Sequence, residues 1–347
     1  MPRFRVVLLE DRFVHHDPET SVLEAIGAEV IEAGKNLSEA DILALCREAD
    51  GITVNLVPMN RNVIAGLNKC RVIARYGVGC DNVDLQAATA KGIAVVNVPD
   101  YCMEDVSDQA FALFMACVRQ VALRDREVRR GHWNITKGGP MFRVRGKTFG
   151  LVGYGNIPQT LHRKLKGFEL GRVLAFDPFI PKEVAEKNGA ELVDLDTLLK
   201  ESDFLSIHAP LNDKTRHLIG KDQLELMKRE AILVNTSRGG VVDTAALCDA
   251  LKRGVIRGAG LDVHEQEPLP ANSPLLELDT VVLSDHIGWY SEESQIELQT
   301  KAAQGVADVL TGKTPRSVVN QEVLKRSQSE RGTPGGSPPR AAEGGGQ

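Results

Sequence analysis

The sequence predicts an α/β protein with two doubly wound parallel-sheet domains. Three observations support this fold class. Short Val- and Ile-rich runs recur along the chain, as in strands that are buried on both faces. Segments with helical apolar spacing separate most of these runs. The 347 residues exceed what one compact core accommodates and suit two domains.

The composition argues against several classes of protein. Hydrophobic residues make up 42% and charged residues 26%, and the net charge of −5 does not favour a nucleic-acid partner. The longest apolar run, Ala110 to Val118, is far shorter than the roughly 20 residues of a membrane span. The N-terminus lacks the features of a signal peptide. Six scattered cysteines without a CxxC pair favour a cytoplasmic protein with neither disulfides nor a metal site.

The first hundred residues alternate strands and helices. The predicted strands are Phe4–Leu9, Glu29–Ala33, Gly51–Leu56, Arg71–Tyr76 and Ile93–Val98. The predicted helices are Glu19–Gly27, Ser38–Ala49, Asn60–Leu67 and Val83–Lys91. Ser38, followed three residues later by Asp41, resembles a capping box. This alternation predicts a parallel sheet with helices on both faces.

The rest of the chain predicts a second sheet. Cys102–Leu123 has the pattern of one long helix, and a last helix covers about Glu292 to Leu310. We expect residues 313–320 to pack back on one of the sheets. Between the helices, six more strands are predicted at Phe149–Gly153, Val173–Phe176, Phe204–Ile207, Ile232–Asn235, Ala259–Val263 and Val281–Ser284.

The C-terminal tail, residues 326–347, has a different composition. Twelve of its 22 residues are Gly, Pro or Ser, and its only apolar side chains are those of Ala341 and Ala342. It cannot bury enough surface to offset the entropy of ordering. We therefore predict a disordered tail that is dispensable for the chemistry.

The strand that ends at Gly153 continues into a glycine-rich turn and then a helix. Gly153 suits the tight turn, and Gly155 lets the backbone approach a pyrophosphate closely. Pro158 stands where a third glycine is usual, and proline is tolerated in the first turn of a helix. We therefore expect a slightly displaced helix whose anion site is kept by the N–H groups of Asn156 and Ile157.

Asp177 strengthens the prediction of a dinucleotide site. It ends the next strand, 22 residues after Gly155. An acidic residue there accepts hydrogen bonds from the ribose hydroxyls of NAD and repels the 2′-phosphate of NADP. No arginine follows directly, so the sequence favours NAD.

Three polar residues follow the late strands. Arg238, Glu267 and His286 come after three successive strands, and the carboxyl ends of such strands line the ligand crevice. An arginine fork binds a carboxylate and polarises a carbonyl, and a histidine delivers or accepts a proton. A carboxylate beside the histidine fixes the ring and favours the imidazolium. We expect these residues to interconvert a 2-hydroxy acid and a 2-oxo acid.

The motifs resemble those of the D-isomer-specific 2-hydroxyacid dehydrogenases. The resemblance covers about residues 3–324. The runs Arg75–Asp84 and His286–Glu292 are most similar to the C-terminal-binding-protein branch of the family. The motifs that carry the family resemblance are Gly153–Pro158, Asp177, His208–Leu211, Thr236–Gly240, Leu261–Val263 with Glu267-Pro268, and His286.

The resemblance implies further roles. Val78 and Gly79 offer backbone N–H groups to the substrate carboxylate, Arg75 and Trp289 shape the side-chain pocket, and Asp262 holds the nicotinamide amide. The implied cofactor-binding residues are Gly153, Gly155, Asn156, Ile157, Asp177, His208, Ala209, Pro210, Thr236, Ser237, Arg238, Asp262 and His286.

The resemblance also implies an architecture. Residues 1–101 with 293–324 form a flavodoxin-like substrate domain, and residues 102–292 form a Rossmann NAD domain. The active site lies in the cleft, with the two long helices as crossing connections. The family is commonly dimeric through the NAD domain, which here would use the long helix and the Arg124–Arg145 arm.

The sequence leaves the substrate open. We expect the substrate to be a 2-hydroxy acid of D configuration, or the corresponding 2-oxo acid. Arg75 suits a substrate with an anionic or polar side group, whereas Trp289 suits a substrate with an apolar side group. One alternative function is an NAD(H)-sensing scaffold or corepressor of the C-terminal-binding-protein type. Another alternative is a phosphoglycerate dehydrogenase, which would require a phosphate pocket. A regulatory domain after residue 324 would favour this alternative, and we expect none there.

Overall fold

The computed structural model describes residues 2–10 and 12–324. The tail predicted to be disordered, residues 326–347, lies outside them. The chain divides into two compact units, one formed by residues 2–10, 12–99 and 296–324, the other by residues 100–295. Each unit contains one sheet in which all paired strands are parallel, with helices in the connections. The predicted fold class is confirmed.

The first unit contains a five-stranded sheet. Its strands are β1 Phe4–Leu9, β2 Ala28–Glu32, β3 Gly51–Val54, β4 Val72–Arg75 and β5 Ala94–Val96. Its first helices are α1 Asp17–Glu24, α2 Glu39–Cys46, α3 Arg61–Ala65 and α4 Leu85–Ala90. The strand order β2-β1-β3-β4-β5 is the flavodoxin-like order. The predicted capping box is present at α2, where Ser38 and Asp41 cap each other's backbone N–H.

The long helix predicted over Cys102–Leu123 is wrong, because two helices occupy this region. They are α5 Met103–Arg119 and α6 Val121–Arg129, bent by 60° at the break. Gln120 between them adopts a left-handed φ of 55°, which ends α5, and its side-chain amide donates to the Gly138 carbonyl at 2.7 Å. Within the described residues no single helix is long and apolar enough to cross a membrane, although this bent pair together meets the length and composition test.

The second unit contains a seven-stranded sheet. Its strands are β6 Thr148–Val152, β7 Arg172–Phe176, β8 Glu191–Leu192, β9 Phe204–Ile207, β10 Ile232–Asn235, β11 Gly258–Leu261 and β12 Val281–Leu283. Its other helices are α7 Asn156–Leu165, α8 Lys182–Asn188, α9 Leu195–Glu201, α10 Lys221–Leu226 and α11 Thr244–Arg253. The order β8-β7-β6-β9-β10-β11-β12 contains the Rossmann order around a central β6. The sequence did not predict β8, because two residues are too short to show a period.

Both faces of the second sheet are covered by apolar side chains. Leu205 and Leu233 pack with Leu247 of α11 on one side. On the other side, Phe114 of α5 packs edge-on against Phe149 and Phe204, with ring centroids 5.2 and 4.8 Å apart. This double cover explains the continuous apolar runs and fixes the carboxyl ends of the strands as the edge available for a site.

The last helix, α12 Glu292–Leu310, returns the chain to the first unit. A Cβ at Gly51 in β3 would lie 2.8 Å from Val306 Cγ1, so glycine permits the close packing of α12 on this sheet. The segment 313–320 then runs along β5, where the Val319 N–H donates to the Val95 carbonyl at 2.8 Å and Asn320 Oδ1 accepts from the Val95 N–H at 2.8 Å. The prediction that this segment packs back on a sheet is confirmed.

Candidate active site

A histidine and a glutamate form a hydrogen-bonded pair after the last two strands of the second sheet. His286 follows β12, and its Nδ1 lies 2.7 Å from Glu267 Oε2 in the loop after β11. An ionised carboxylate only accepts, so Nδ1 carries the proton and Nε2 is left to face a ligand. His286 has a left-handed φ of 60°, and its N–H donates to the Asp262 carbonyl at 2.8 Å. The pair predicted from the sequence is therefore formed.

Glu267 is held as a carboxylate. Its Oε1 accepts from the His264 N–H at 2.9 Å. Burial raises the pKa of Glu267, but the hydrogen bond and charge of His286 and the hydrogen bond from His264 lower it more, so the pKa lies below its ordinary value. The pair thus keeps a negative charge beside the imidazole at neutral pH.

Asp262 braces the loop that carries His286. Its buried carboxylate accepts from Ser284 Oγ at 2.7 Å, the Ile287 N–H at 3.1 Å and the Gly288 N–H at 2.9 Å. A Cβ at Gly288 would lie 2.7 Å from Asp262 Oδ2, so the close approach requires glycine. Asp262 orients the loop in this structure, while its role toward the nicotinamide amide stays a prediction.

Arg238 lies in the turn after β10. Asn235 shapes this turn, because its Oδ1 accepts from the Ser237 N–H and its Nδ2 donates to the Arg238 carbonyl, both at 3.0 Å. A Cβ on Gly239 would lie 1.9 Å from the His264 carbonyl carbon, so the turn packs directly on the loop that leads to Glu267. The backbones that carry Arg238 and Glu267 therefore meet at one edge of the sheet.

The glycine-rich turn joins β6 to α7. Gly153 has φ 87°, and a Cβ there would lie 3.1 Å from the His208 carbonyl carbon, so glycine is required. Gly155 is different, because nothing lies within 4 Å of the position of its Cβ. No side chain caps the start of α7, and Pro158 is the buried third residue of this helix. The free space at Gly155 thus directly precedes an uncapped helix start.

Asp177 is fixed beside this turn. Its Oδ2 accepts from the Tyr154 N–H and its Oδ1 from the Phe179 N–H, both at 2.9 Å. The Tyr154 ring beneath is fully buried, and its hydroxyl hydrogen-bonds His162 Nδ1 at 2.7 Å. Burial raises the pKa of Tyr154 to about 12 and lowers that of His162. The side chains of Tyr154 and His162 are thus both neutral.

These features fit a dinucleotide. The space at Gly155 and the uncapped helix start suit a pyrophosphate, and Asp177 suits a ribose. Thr236 Oγ1 is buried and forms no hydrogen bond within residues 2–10 and 12–324. Burial lowers the pKa of His208 to about 3, so its ring is neutral, with Nε2 2.8 Å from Ser206 Oγ. Ala209 is buried and Pro210 exposed.

The remaining predicted residues are divided between the units. Arg75, at the end of β4 in the first unit, is only 7% exposed, whereas Val78 is 40% exposed. Gly79 is half-buried. Trp289 belongs to the second unit, half-buried with its ring 6.5 Å from that of Tyr101. Of these four predicted residues, only Val78 is exposed.

Sequence reasoning missed several supporting residues. Gln109 of α5 donates to Ser284 Oγ at 2.9 Å, and His264 Nε2 lies 2.9 Å from the Ser284 carbonyl oxygen. Both hold the strand end that leads to His286. Asn235 could have been found, because an Asn directly before Thr-Ser-Arg is a turn signal. The long-range contacts of Gln109 and His264 leave no local signal.

Comparison with known proteins is consistent with this geometry. Residues 111–288 match the family model described as D-isomer specific 2-hydroxyacid dehydrogenase, NAD binding domain. The chain is 43% identical to a glyoxylate reductase of Korarchaeum cryptofilum over 292 residues, which is 83% of this chain and 88% of that protein. It is 41% identical to the D-3-phosphoglycerate dehydrogenase of Methanocaldococcus jannaschii over 307 residues, which is 88% of this chain but only 58% of the relative.

Solved structures give the same family. A glyoxylate reductase of Paecilomyes thermophila superposes with a TM-score of 0.83 at 28% identity, covering 93% of this chain and 100% of that one. The holo form of Rhodotorula graminis D-mandelate dehydrogenase superposes with a TM-score of 0.81 at 31% identity, covering 92% and 98%. Sequence and structure agree with the motifs at the carboxyl ends of the strands, and the chain belongs to the D-isomer-specific 2-hydroxyacid dehydrogenases.

Proposed function

We propose that the chain is an NAD-dependent oxidoreductase that reduces a small 2-oxo acid with an uncharged side group, of the size of glyoxylate or hydroxypyruvate, to the D-2-hydroxy acid. Interconversion of 2-hydroxy and 2-oxo acids with NAD is the chemistry of the family. The observation that carries the proposal is the 2.7 Å pair of His286 and Glu267 in loops that pack on the Arg238 turn. This arrangement joins a proton donor to a carboxylate-binding guanidinium.

The chain's own residues have separate tasks in the reduction. The bound dinucleotide supplies the reducing equivalent for the carbonyl carbon. His286 holds at Nε2 the proton that the carbonyl oxygen receives, and Glu267 stabilises the imidazolium and fixes its ring through Nδ1. Arg238 binds the carboxylate and polarises the carbonyl. In the first unit, Val78 and Gly79 offer backbone N–H groups that suit a carboxylate, and in the second unit Trp289 offers an apolar side chain.

The cofactor-binding residues follow from the turn and the strand ends. Gly153, Gly155, Asn156 and Ile157 would hold the pyrophosphate, and Asp177 the adenosine ribose. Thr236, with its free buried hydroxyl, Ser237, Asp262 and the run His208–Pro210 would line the rest of the dinucleotide. Asp177 is negatively charged and two backbone N–H groups fix it, which supports NAD over NADP.

A small, uncharged substrate is supported by the surface of the first unit. The exposed side chains after β3 and β4 include Leu56 and Val78, which are 47% and 40% exposed, while the Arg75 side chain is buried. Glyoxylate reductases also occur among the relatives. A phosphoglycerate dehydrogenase is the alternative within the family, supported by the Methanocaldococcus relative. The relatives named above are dehydrogenases or reductases, so a corepressor role is not favoured.

A panel of 2-oxo acids tests the proposal. Single-turnover oxidation of NADH is measured with glyoxylate, hydroxypyruvate, pyruvate, phenylpyruvate, 4-methylthio-2-oxobutanoate and 3-phosphohydroxypyruvate. We expect glyoxylate and hydroxypyruvate to react fastest, and His286→Ala to abolish turnover while NADH still binds. A preference for 3-phosphohydroxypyruvate would favour the alternative, and no turnover with any 2-oxo acid would refute the enzyme.

We further propose a cytoplasmic homodimer that associates through the arm after α6. Trp133 and Ile135 in this arm are 89% and 85% exposed, and large apolar side chains of that exposure suit a subunit interface. The six free cysteines support a reducing compartment. Sedimentation velocity should give a dimer for the wild type and a monomer for the Trp133→Ser, Ile135→Ser double variant. A wild-type monomer would contradict the proposal.

A further inference from the structure

The loop after β4 is held by its carbonyl groups. The Gly77 carbonyl accepts from the Val98 N–H at 2.9 Å, and the Val78 carbonyl accepts from Asn97 Nδ2 at 2.6 Å. Both donors come from the residues directly after β5, the neighbouring strand. Gly77 has φ 137°, a conformation that only glycine adopts readily. Two successive carbonyls of the loop are therefore tied to one side.

The matching N–H groups are left for a ligand. In a trans peptide the N–H points opposite to the C=O, so the hydrogen bond from Asn97 to the Val78 carbonyl directs the Gly79 N–H away from Asn97. Within the described residues, neither the Val78 nor the Gly79 N–H forms a hydrogen bond. Successive free N–H groups of this kind bind anions.

A second hydrogen bond extends the contact to the C-terminal segment. Ser317 Oγ lies 2.5 Å from Asn97 Oδ1 and donates to it. The Asn97 amide thus accepts at one end and donates at the other, which fixes its orientation. Hydrogen bonds in such a chain polarise one another, so the Gly79 N–H becomes a stronger donor toward an anion. Asn320, three residues further on, anchors the segment to β5.

We propose that Asn97 is a positioning residue for substrate binding. Through the Val78 carbonyl it orients and polarises the Val78–Gly79 peptide that receives the carboxylate of the 2-oxo acid, and Ser317 orients the Asn97 amide. This inference rests on the proposed function, because it assigns the anion to that substrate. In this role Asn97 acts through the Val78–Gly79 peptide rather than on the substrate, so its removal weakens substrate binding and leaves the proton-transfer machinery intact.

The experiment measures binding and turnover separately. Oxamate, an unreactive mimic of a 2-oxo acid, is titrated by calorimetry into the NADH-loaded enzyme, and KM and kcat are measured with the best 2-oxo acid. Asn97→Asp replaces the donor with an oxygen that repels the Val78 carbonyl, and Asn97→Ala removes it. For both we expect the oxamate Kd and the KM to rise about tenfold, as for the loss of one useful hydrogen bond. We expect kcat to stay within about twofold and the NADH Kd to be unchanged.

Two further variants sharpen the test. Ser317→Ala keeps Asn97 but frees its amide, and we expect a rise in oxamate Kd of about threefold. Asn82→Ala is the matched control, because Asn82 Nδ2 donates to the Asn55 and Val57 carbonyls of the neighbouring loop and leaves Val78 untouched. We expect it to bind oxamate as the wild type does. Urea unfolding checks that each variant folds, and Ser317→Ala carries the test if the Asn97 variants do not.

The outcomes separate the two proposals. Wild-type affinity for oxamate in Asn97→Asp, or a fall in kcat with an unchanged KM, would overturn the role of Asn97 and leave the proposed function standing. An equal loss in Asn82→Ala would also overturn it, because the effect would then be general loosening of the loops. A wild type that neither binds oxamate nor turns over any 2-oxo acid would refute both.

Discussion

One hydrogen bond at the strand ends keeps a partly buried glutamate charged. The 2.7 Å contact of Glu267 with His286 holds the pKa of the carboxyl below its ordinary value, although burial alone would raise it. Glu267 therefore remains a carboxylate at neutral pH and accepts the hydrogen bond from the Nδ1–H of His286.

Glu267→Gln should expose this coupling. The amide keeps the shape but not the charge, so the imidazolium loses its partner. We expect kcat/KM for reduction to fall about 100-fold. Glu265→Gln is the matched control. Glu265 lies on the same loop as Glu267, but it pairs with a different histidine, His217, at 2.6 Å. An unchanged kcat/KM in Glu267→Gln would contradict the role of the pair.

The two glycines of the dinucleotide turn should respond differently to alanine. Gly153→Ala forces a side chain onto φ 87° and against the His208 backbone, so we expect the free energy of unfolding to fall by about 1–3 kcal/mol. Gly155→Ala meets no protein atom within 4 Å, so we expect unchanged stability but an NADH Kd at least about tenfold higher. Urea unfolding and NADH fluorescence titration measure both. Unchanged NADH binding in Gly155→Ala would contradict the proposal that the pyrophosphate binds at this position.

At the scale of elements, the segment after α6 is fastened to that helix by charge. Glu127 hydrogen-bonds Lys137 at 2.8 Å and His132 at 2.9 Å, and these partners lower its pKa to about 2. Arg124 donates to the carbonyls of Asn134 and Ile135. The segment that carries Trp133 is thus held in place by polar contacts rather than by a core of its own.

The lowered pKa of Glu127 predicts how its contribution to stability changes with pH. A carboxyl whose folded pKa lies below its unfolded value of about 4.5 stabilises the fold above that pH, and this contribution is lost as the pH falls toward 2. We expect Glu127→Gln to unfold at lower urea than the wild type at pH 7, and the difference to shrink between pH 4.5 and 3. Asp125→Asn, which breaks the exposed pair with Arg129, should change little. A constant difference across this range would show that the charge of Glu127 is not the cause.

Local signals predicted most elements, and long-range contacts decided the exceptions. β1 has the predicted bounds, and the capping box at Ser38 is present. Both were predictable because apolar strand runs and helix caps depend on residues that are close together in the sequence. The break at Gln120 depends on a hydrogen bond to Gly138, 18 residues away, so the pattern of Cys102–Leu123 could not reveal it. The pairing of Glu267 with His286 was predictable from their strand ends, whereas the support from Gln109 was not.

At the scale of the whole molecule, the C-terminal segment completes the first unit. Asn320 is 4% exposed, accepts from the Val95 N–H and donates to the Ile93 carbonyl and to Thr89 Oγ1. These three hydrogen bonds cover β5, the edge strand of the first sheet. They join residues that are more than 220 positions apart in the chain.

Asn320→Ala should destabilise the protein measurably. It leaves buried groups of β5 without partners, so we expect the free energy of unfolding to fall by about 2–3 kcal/mol. Differential scanning calorimetry is the measurement, with the exposed neighbour Gln321→Ala as the control. Equal melting temperatures for the two variants would show that the segment contributes nothing to the first unit.

The division of the chain has a consequence for biosynthesis. A ribosome delivers residues 100–295 as one uninterrupted stretch, but the first unit stays incomplete until α12 and residues 313–320 have emerged as well. Until then the face of β3 that receives Val306 has no cover, and an uncovered apolar sheet is the kind of surface that chaperones bind. A chain truncated after residue 295 should therefore yield a protease-resistant fragment from the later unit only, although the earlier one is translated first.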